Sequence, residues 1–76
     1  MTNYQKRQKK LLGKPLGKRE NEMWRYMAQG LSGGAIARKM GITLHTVNAM
    51  KKNVYAKLGV NNIAAAVSMW YKKKKS

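Results

Sequence analysis

The sequence predicts an all-α domain of four helices, and three features of its 76 residues carry this prediction. Apolar residues recur at the three- and four-residue spacing of one helical face in four successive segments. Glycines Gly30, Gly41 and Gly59 follow the first three segments, where helices commonly end. The single proline, Pro15, precedes all four segments and disfavours helix at the residue before it. We therefore expect the folded domain to begin after Pro15.

The first predicted helix begins after Gly17 and ends at Gly30. Glu20 follows Gly17 by three residues, which is the spacing of a capping box with glycine in place of serine or threonine. Its position also puts Glu20 at the edge of the apolar stripe. That stripe, the predicted buried face, consists of Met23, Trp24 and Met27.

The second predicted helix is short, with Ser32 as its N-cap and Gly41 as its end. Gly33 and Gly34 weaken its first turn, each by up to about 1 kcal/mol relative to alanine. Its predicted buried face consists of Ile36, Ala37 and Met40.

The third predicted helix begins at the cap Thr43, runs to about Leu58 and ends at Gly59. At about 100° per residue it has two opposite faces. An acid-free face of this kind fits the floor of a DNA major groove, which admits one helix, whereas ordinary solvated faces usually mix glutamate with lysine. The face predicted to join the core consists of Val47, Met50, Val54 and Leu58. The opposite, acid-free face consists of His45, Asn48, Ala49, Lys52 and Ala56.

The fourth predicted helix is capped by Asn61 and covers about residues 62–71. Small alanines at positions 64–66 allow another helix to approach closely. The whole chain is then divided into a basic flexible arm (1–15), one helical domain (16–71) and a basic lysine tail (72–76). The apolar stripe of the fourth helix consists of Ile63, Ala66, Val67 and Trp70.

A three-residue turn from Gly41 to Thr43 joins the second and third predicted helices. Two helices joined by such a turn form the helix-turn-helix plan. In this plan the second helix crosses the DNA backbone and the third, here about residues 44–58, enters the major groove.

The strong positive charge of the chain indicates which classes of partner it favours. The chain has 17 Lys and Arg against two acids, a net charge of +15. Phosphate polymers are favoured partners because neutralised phosphates release counterions. An anionic membrane surface is the alternative, although no run approaches the roughly 20 apolar residues that span a bilayer. Only Leu11 and Leu12 follow the basic N-terminus, so we expect no signal peptide and a cytoplasmic protein.

Catalytic and metal-binding side chains are scarce. The chain contains one histidine and no cysteine, and its two acids are Glu20 and Glu22. A metal site needs several converging ligands, and glutamates two residues apart on a helix point in different directions. Both glutamates are explained by the positive N-terminal end of the first helix. We expect no metal, no cofactor and no enzymatic activity.

Residues 16–67 resemble the DNA-binding domain of the LuxR/GerE family, with its spacing kept without a gap. The resemblance implies four helices, a third helix that reads the major groove, and dimers formed mainly through the fourth. The matching positions are Leu16, Arg19, Glu20, Glu22, Gly30, Ser32, Ile36, Ala37, Ile42, Thr46, Val47, Asn53, Lys57, Leu58, Val60, Asn62, Ala66 and Val67.

The resemblance also implies roles for individual residues. Base contacts are expected from Asn48, Ala49 and Lys52. Phosphate contacts are expected from Thr43, His45, Thr46, Lys51 and Asn53. The dimer interface is expected at Ile63, Ala66, Val67 and Trp70.

Several positions depart from the family pattern. Asn48 replaces the usual lysine, and asparagine prefers adenine where lysine prefers guanine. Met50 replaces the usual histidine, and we place it at the edge of the core. Ile63 replaces the arginine that in the family pairs with the glutamate matching Glu20, which implies that Glu20 lacks its usual partner.

The sequence therefore predicts a sequence-specific regulator of transcription on double-stranded DNA. It resembles stand-alone members of the family or a small phage-encoded regulator, acting in the bacterial cytoplasm or nucleoid, or in the host cytoplasm. Two copies at +15 repel each other, so we expect weak homodimers that become firm on DNA.

Two other functions stay open. One is an adaptor that contacts RNA polymerase or a host regulator, for which exposed Tyr4, Trp70 or Tyr71 would be the anchors. The other is a low-specificity protein that coats DNA or RNA. The basic residues within 6–10 and 72–75 either contact phosphate or merely increase solubility.

Overall fold

Four helices make up the fold from residue 18 to residue 75. The computed structural model describes residues 10–75, with side chains described through residue 73, and contains no strand within that range. The all-α prediction is confirmed, while the predictions for residues 1–9 and 76 lie outside the described residues. The helices are α1 (Lys18–Ala28), α2 (Gly33–Met40), α3 (Leu44–Leu58) and α4 (Ile63–Lys75).

Side-chain caps begin α2 and α3 at the predicted residues. The Ser32 hydroxyl accepts a hydrogen bond from the Ala35 N–H at 3.3 Å. The Thr43 hydroxyl accepts one from the Thr46 N–H at 3.1 Å. Each cap satisfies a backbone donor that the first turn of a helix leaves without a partner.

The start of α4 differs from the prediction by one residue. The cap is Asn62, not Asn61, because the Asn62 side-chain oxygen accepts a hydrogen bond from the Ala65 N–H at 2.8 Å. Asn61 instead accepts a hydrogen bond from the Asn62 amide at 2.9 Å. The helix continues to Lys75, so most of the predicted lysine tail is helical. Lysine is a good helix former, and cations favour the negative C-terminal end of a helix.

A left-handed glycine ends both α2 and α3. Gly41 has φ = 67°, and the following Ile42 N–H donates to the Ala37 carbonyl at 3.0 Å. Gly59, with φ = 74°, ends α3 in the same conformation. Glycine adopts this conformation at little cost because it has no Cβ. The reversal at Gly41 sets the angle at which α3 leaves α2.

The core lies where α1 packs against the other three helices, while α2 also packs against α3. All residues predicted for the buried faces of α1 and α2 are buried, and Met50 and Leu58 of α3 are half-buried against the same cluster. The buried cluster consists of Met23, Trp24, Met27, Ile36, Ala37, Met40, Val47 and Val54.

Trp24 attaches α4 to this core. Its indole N–H donates to the Ala66 carbonyl at 2.8 Å, and its ring meets the Trp70 ring edge to face with centroids 5.1 Å apart. The Lys73 ammonium lies over both rings, 5.3 Å from Trp24 and 5.5 Å from Trp70. Ala66 is 0% exposed within one chain, which does not favour its predicted role as a dimer contact. Trp70 is largely engaged in the same internal packing.

The chain before α1 lies at the C-terminal end of α3. The Gly13 N–H donates to the Lys57 carbonyl at 3.0 Å. A Cβ added to Gly59 would meet the Leu12 side chain at 2.8 Å. Ala56, which was predicted on the solvent face of α3, is 6% exposed. Its burial corrects the prediction, since periodicity within α3 could not foresee that another segment packs near its end.

Candidate nucleic-acid interface

The outer face of α3 carries the predicted base-contacting residues. Asn48, Ala49 and Lys52 are all exposed, and so is the neighbouring His45. The two carboxylates of the sequence, Glu20 and Glu22, belong to α1, so this face carries no negative charge. An exposed helical face with hydrogen-bonding and cationic side chains suits the edges of bases in a major groove. That these residues contact bases stays a prediction.

The predicted phosphate contacts lie on the same helix. Thr43 is exposed, whereas Thr46, Lys51 and Asn53 are half-buried. The two threonine hydroxyls are 3.0 Å apart, and the Thr43 hydroxyl also caps the helix. Because the N-terminal end of a helix attracts anions, hydroxyls held there can bind phosphate oxygens. Contact with phosphate stays a prediction for this set and for His45.

Leu44 is a surface residue that the sequence analysis left unassigned. It is the first residue of α3 and is 51% exposed. A Cβ added to Gly33 would lie 3.0 Å from the end of its side chain, so the glycine in α2 leaves room for the leucine. Apolar side chains at such positions can contact the methyl group of thymine. The available signal was a large apolar residue outside the apolar stripe of α3.

An ion pair fixes α3 against α1. The Lys57 ammonium donates to Glu20 Oε1 at 2.6 Å, and the same oxygen accepts the Gly17 N–H at 2.8 Å. The side chains of Lys57 and Glu20 are 17% and 15% exposed. Glu20 thus lacks the usual arginine, as expected, but it is paired with Lys57 instead. Ile63, at the position of the usual arginine, is 45% exposed.

The sequence contained the signal for this pair. Glu20 lies at the edge of the apolar stripe of α1, and Lys57 lies beside the apolar stripe of α3 at about 100° per residue. When the two stripes pack together, their edges meet, and the long lysine side chain reaches the carboxylate. The first half of the capping box, the Glu20 bond to Gly17, is confirmed at the same oxygen.

Arg19 ties α1 to the end of α2. Its guanidinium donates to the Met40 carbonyl at 2.8 Å, one residue before the turn that leads to α3. It also pairs with Glu22 at 3.3 Å. Carbonyls at the C-terminal end of a helix have no partner within that helix, so this bond satisfies one of them. Arg19 and Lys57 therefore hold the two ends of the helix-turn-helix on α1.

Low pH is expected to lower the stability of the fold, because it protonates Glu20. Burial alone raises the pKa of Glu20, but the hydrogen bonds from Lys57 and Gly17 and the positive charge of Lys57 outweigh it, so the pKa lies below its ordinary value of 4.5. A carboxyl with a lowered pKa in the folded state stabilises the protein fully above its unfolded pKa. This stabilisation is lost as the pH falls through the folded pKa, and urea unfolding at several pH values measures the loss.

Glu20→Gln should remove this part of the pH dependence and lower the free energy of unfolding at neutral pH by about 1–2 kcal/mol, between the values for exposed and buried ion pairs. The matched control is Glu22→Gln, because Glu22 pairs with a more exposed partner, Arg19, whose side chain is 53% exposed. Equal losses in the two variants would contradict a special role for the Glu20–Lys57 pair.

Residues 10–75 offer neither a metal site nor a membrane span. No group of three or more histidine or acidic side chains in this range is placed to hold a metal ion. None of the helices in the same range is long and apolar enough to cross a membrane.

Comparison with known proteins agrees with the geometry. The model for bacterial regulatory proteins of the luxR family matches residues 14–70. The Fimbriae Z protein of Salmonella typhimurium is 36% identical over 53 residues, which are 70% of this chain and 25% of that protein. The Fimbriae Z protein of Escherichia coli K12 is 40% identical over 52 residues, 68% of this chain and 25% of that protein.

A third relative is named as a transcriptional regulatory protein. The probable transcriptional regulatory protein SgaR of Hyphomicrobium methylovorum is 43% identical over 51 residues, 67% of this chain and 24% of that protein. The chain thus spans about a quarter of the length of these relatives. No solved structure matches the chain at a comparable level of significance.

Proposed function

The chain belongs to the luxR family of bacterial regulatory proteins, and from this premise we propose that it regulates transcription by reading specific double-stranded DNA sequences with α3. The observation that supports this proposal most directly is the exposed, acid-free face of α3, which presents Asn48, Ala49 and Lys52 together. Asn48 can bind adenine through two hydrogen bonds, Lys52 can bind guanine, and Ala49 can contact a thymine methyl.

The contacts that hold α3 in place favour recognition of specific base sequences over nonspecific attachment to nucleic acid. The helix is capped at both ends, and the Lys57–Glu20 pair at 2.6 Å together with the Arg19–Met40 bond at 2.8 Å fixes the helix-turn-helix on α1. Discrimination between bases requires donors and acceptors held in fixed positions. A protein that only coats nucleic acid needs positive charge but no such rigidity.

Selection of bound duplexes from a random pool tests the proposal. We expect a defined site to be enriched, with two related half-sites about one helical turn apart, roughly 34–36 Å. Equal affinity for unrelated duplexes would favour a low-specificity coating protein. Failure to bind any duplex, with the fold intact, would favour an adaptor that binds another protein.

The dimer surface is proposed on the outer side of α4. Ile63 and Tyr71 are 45% and 52% exposed, and the half-buried Val67 lies between them on one stripe. The spacing of four residues places all three on one helical face. Ala66 faces α1 instead, so the proposed surface keeps Ile63 and Val67 from the predicted interface and adds the exposed ring of Tyr71, whose hydroxyl donates to the Ala28 carbonyl of α1 at 3.1 Å. Repulsion between two +15 chains keeps this dimer weak until phosphates neutralise the charge.

Ile63→Gln should reduce the cooperativity of binding to a duplex with two half-sites by about five- to tenfold, because each dimer loses two apolar contacts worth about 1 kcal/mol or less each. Binding to a single half-site should be unchanged. Leu12→Gln is the control, since Leu12 is 59% exposed and lies on a different part of the surface. Sedimentation that shows one protein per two-site duplex at saturation would rule out the dimer.

A further inference from the structure

A groove between α1 and α4 forms a second charged surface, separate from the outer face of α3. It is a shallow groove, largely open to solvent, with a volume of about 340 Å³. One side is a continuous stripe of α1, and the other is formed by two residues near the end of α4. The lining residues are Lys18, Asn21, Glu22, Arg25, Trp70 and Lys73.

The groove faces away from the DNA-reading helix. At about 100° per residue, Lys18 and Arg25 lie on the side of α1 opposite to Glu20. Glu20 is the residue of α1 that pairs with α3, through Lys57. A duplex seated on the outer face of α3 therefore lies on the far side of the domain from the groove.

The charges of the groove favour an anionic occupant. Lys18 and Arg25 are exposed cations, and Lys73 adds a third. The one carboxylate, Glu22, already accepts hydrogen bonds from Arg19 at 3.3 Å and from the Tyr26 hydroxyl at 3.4 Å. Its negative charge is thus compensated within α1, and the groove keeps a positive balance.

The tryptophan in the groove distinguishes a peptide from a nucleic acid. The Lys73 ammonium lies over the Trp70 ring at 5.5 Å, and the ring also meets Trp24 edge to face. A stacked base would have to displace that lysine. The Trp24 indole N–H is bonded to the Ala66 carbonyl at 2.8 Å, and Trp70 is the tryptophan that lines the groove. The groove therefore offers an aromatic side chain between cations.

We propose that this groove binds an extended acidic segment of a partner protein, with carboxylates at Lys18 and Arg25 and an apolar side chain against Trp70. Lys18 and Arg25 are seven residues apart, about 10 Å along the helix. Three residues of a peptide in the extended polyproline II conformation cover about 9 Å and complete one turn, so acidic residues three apart lie on one face and match the two cations. This inference is independent of the proposed DNA reading and would give a DNA-bound regulator a contact to a second protein.

A short capped peptide that repeats the unit Glu-Leu-Leu serves as the probe, and its glutamine analogue is the neutral control. The sequence has two tryptophans: Trp70 lines the groove and Trp24 packs against the Trp70 ring, so the intrinsic fluorescence of the full chain reports binding there. The glutamate peptide should change this fluorescence, and the glutamine analogue should bind much more weakly. Equal binding of the two peptides, or no binding of the acidic one, would overturn the proposal.

Lys18→Gln combined with Arg25→Gln should weaken binding of the acidic peptide about tenfold, since two exposed ion pairs are lost. The matched control is Arg38→Gln combined with Lys39→Gln, which removes the same charge from exposed positions in the last turn of α2. The control pair should change the affinity less than about twofold. Equal losses would show attraction to the whole polycation and would overturn the proposal.

A second binding experiment uses a DNA duplex from the selected pool. Protein saturated with that duplex should still bind the acidic peptide, and the Lys18, Arg25 double variant should keep its affinity for the duplex. Displacement of the peptide by DNA would assign the groove to nucleic acid instead. If the chain binds the peptide but no duplex, the proposed function fails while the groove remains a protein-binding site.

Discussion

Trp24→Ala is expected to lower the free energy of unfolding by about 3–5 kcal/mol, the loss typical of a large aromatic side chain removed from a core. Trp24 is 5% exposed, donates a hydrogen bond to α4 and supports the Trp70 ring. Domains of this size have a stability of the order of 5–15 kcal/mol. The substitution should therefore unfold a large fraction of the molecules or release α4 from the core.

Two milder variants keep this prediction measurable if Trp24→Ala does not fold. Trp24→Phe keeps a ring but leaves the Ala66 carbonyl without its donor, and should cost about 1–3 kcal/mol. Trp70→Phe should cost less, because Trp70 is only half-buried, whereas Trp24 is 5% exposed and bonded to the Ala66 carbonyl. Urea unfolding followed by circular dichroism measures all three. An equal cost for the two phenylalanine variants would contradict the role given to the hydrogen bond.

Asn48→Ala is expected to weaken binding to the selected duplex by about 1–3 kcal/mol, or roughly 5- to 150-fold. Asn48 is exposed in the middle of the acid-free face, where its side-chain amide can bind adenine through two hydrogen bonds. Affinity for random duplexes should change much less, since that affinity comes from phosphates. Titration of both duplexes at one fixed salt concentration gives the comparison.

Two further variants sharpen this test. Asn48→Lys restores the residue that the family resemblance predicts there, and should shift the preferred base at one position from adenine to guanine. Asn61→Ala removes another exposed asparagine, between α3 and α4, and should leave both affinities unchanged. An equal loss by Asn48→Ala on specific and random duplexes would remove Asn48 from base reading.

The parts of the fold that depend on local sequence were predictable. The apolar stripes of α1 and α2 are buried as predicted because helical period alone decides which side chains share a face. Ser32 and Thr43 cap their helices, since a short hydroxyl side chain at that position satisfies the first free N–H groups. Asn61 and Asn62 have the same side chain, so the sequence pattern could not decide which of the two would cap α4.

The errors concern contacts between distant parts of the chain. Ala56 is on the outer side of α3 by angle, but small residues are readily covered when another segment packs nearby. Ala66 belongs to an apolar stripe that could equally face α1 or a second subunit, and Trp24 binds its carbonyl. The resemblance implied only that Glu20 lacks its usual arginine, and it did not reveal that the packing of α1 against α3 brings Lys57 to Glu20.

The candidate site was predicted better than its supports. Asn48, Ala49 and Lys52 are exposed together because three residues of one helix keep their relative angles in any context. The outward position of Leu44 depends on the space that Gly33 leaves in α2, which is a contact between two helices. Periodicity within one helix carries no information about such a contact.

The bond from Gly13 to the Lys57 carbonyl determines where mechanical load enters the domain. Tension applied at residue 10 would meet the bond at the C-terminal end of α3 before it reaches α1, because Gly13 precedes Lys18 in the chain. It would therefore act on the helix that is proposed to read DNA. The opposite terminus continues α4, which is held by Trp24 and is not bonded to α3 in this way. A label for force or fluorescence measurements is therefore better placed at the C-terminus.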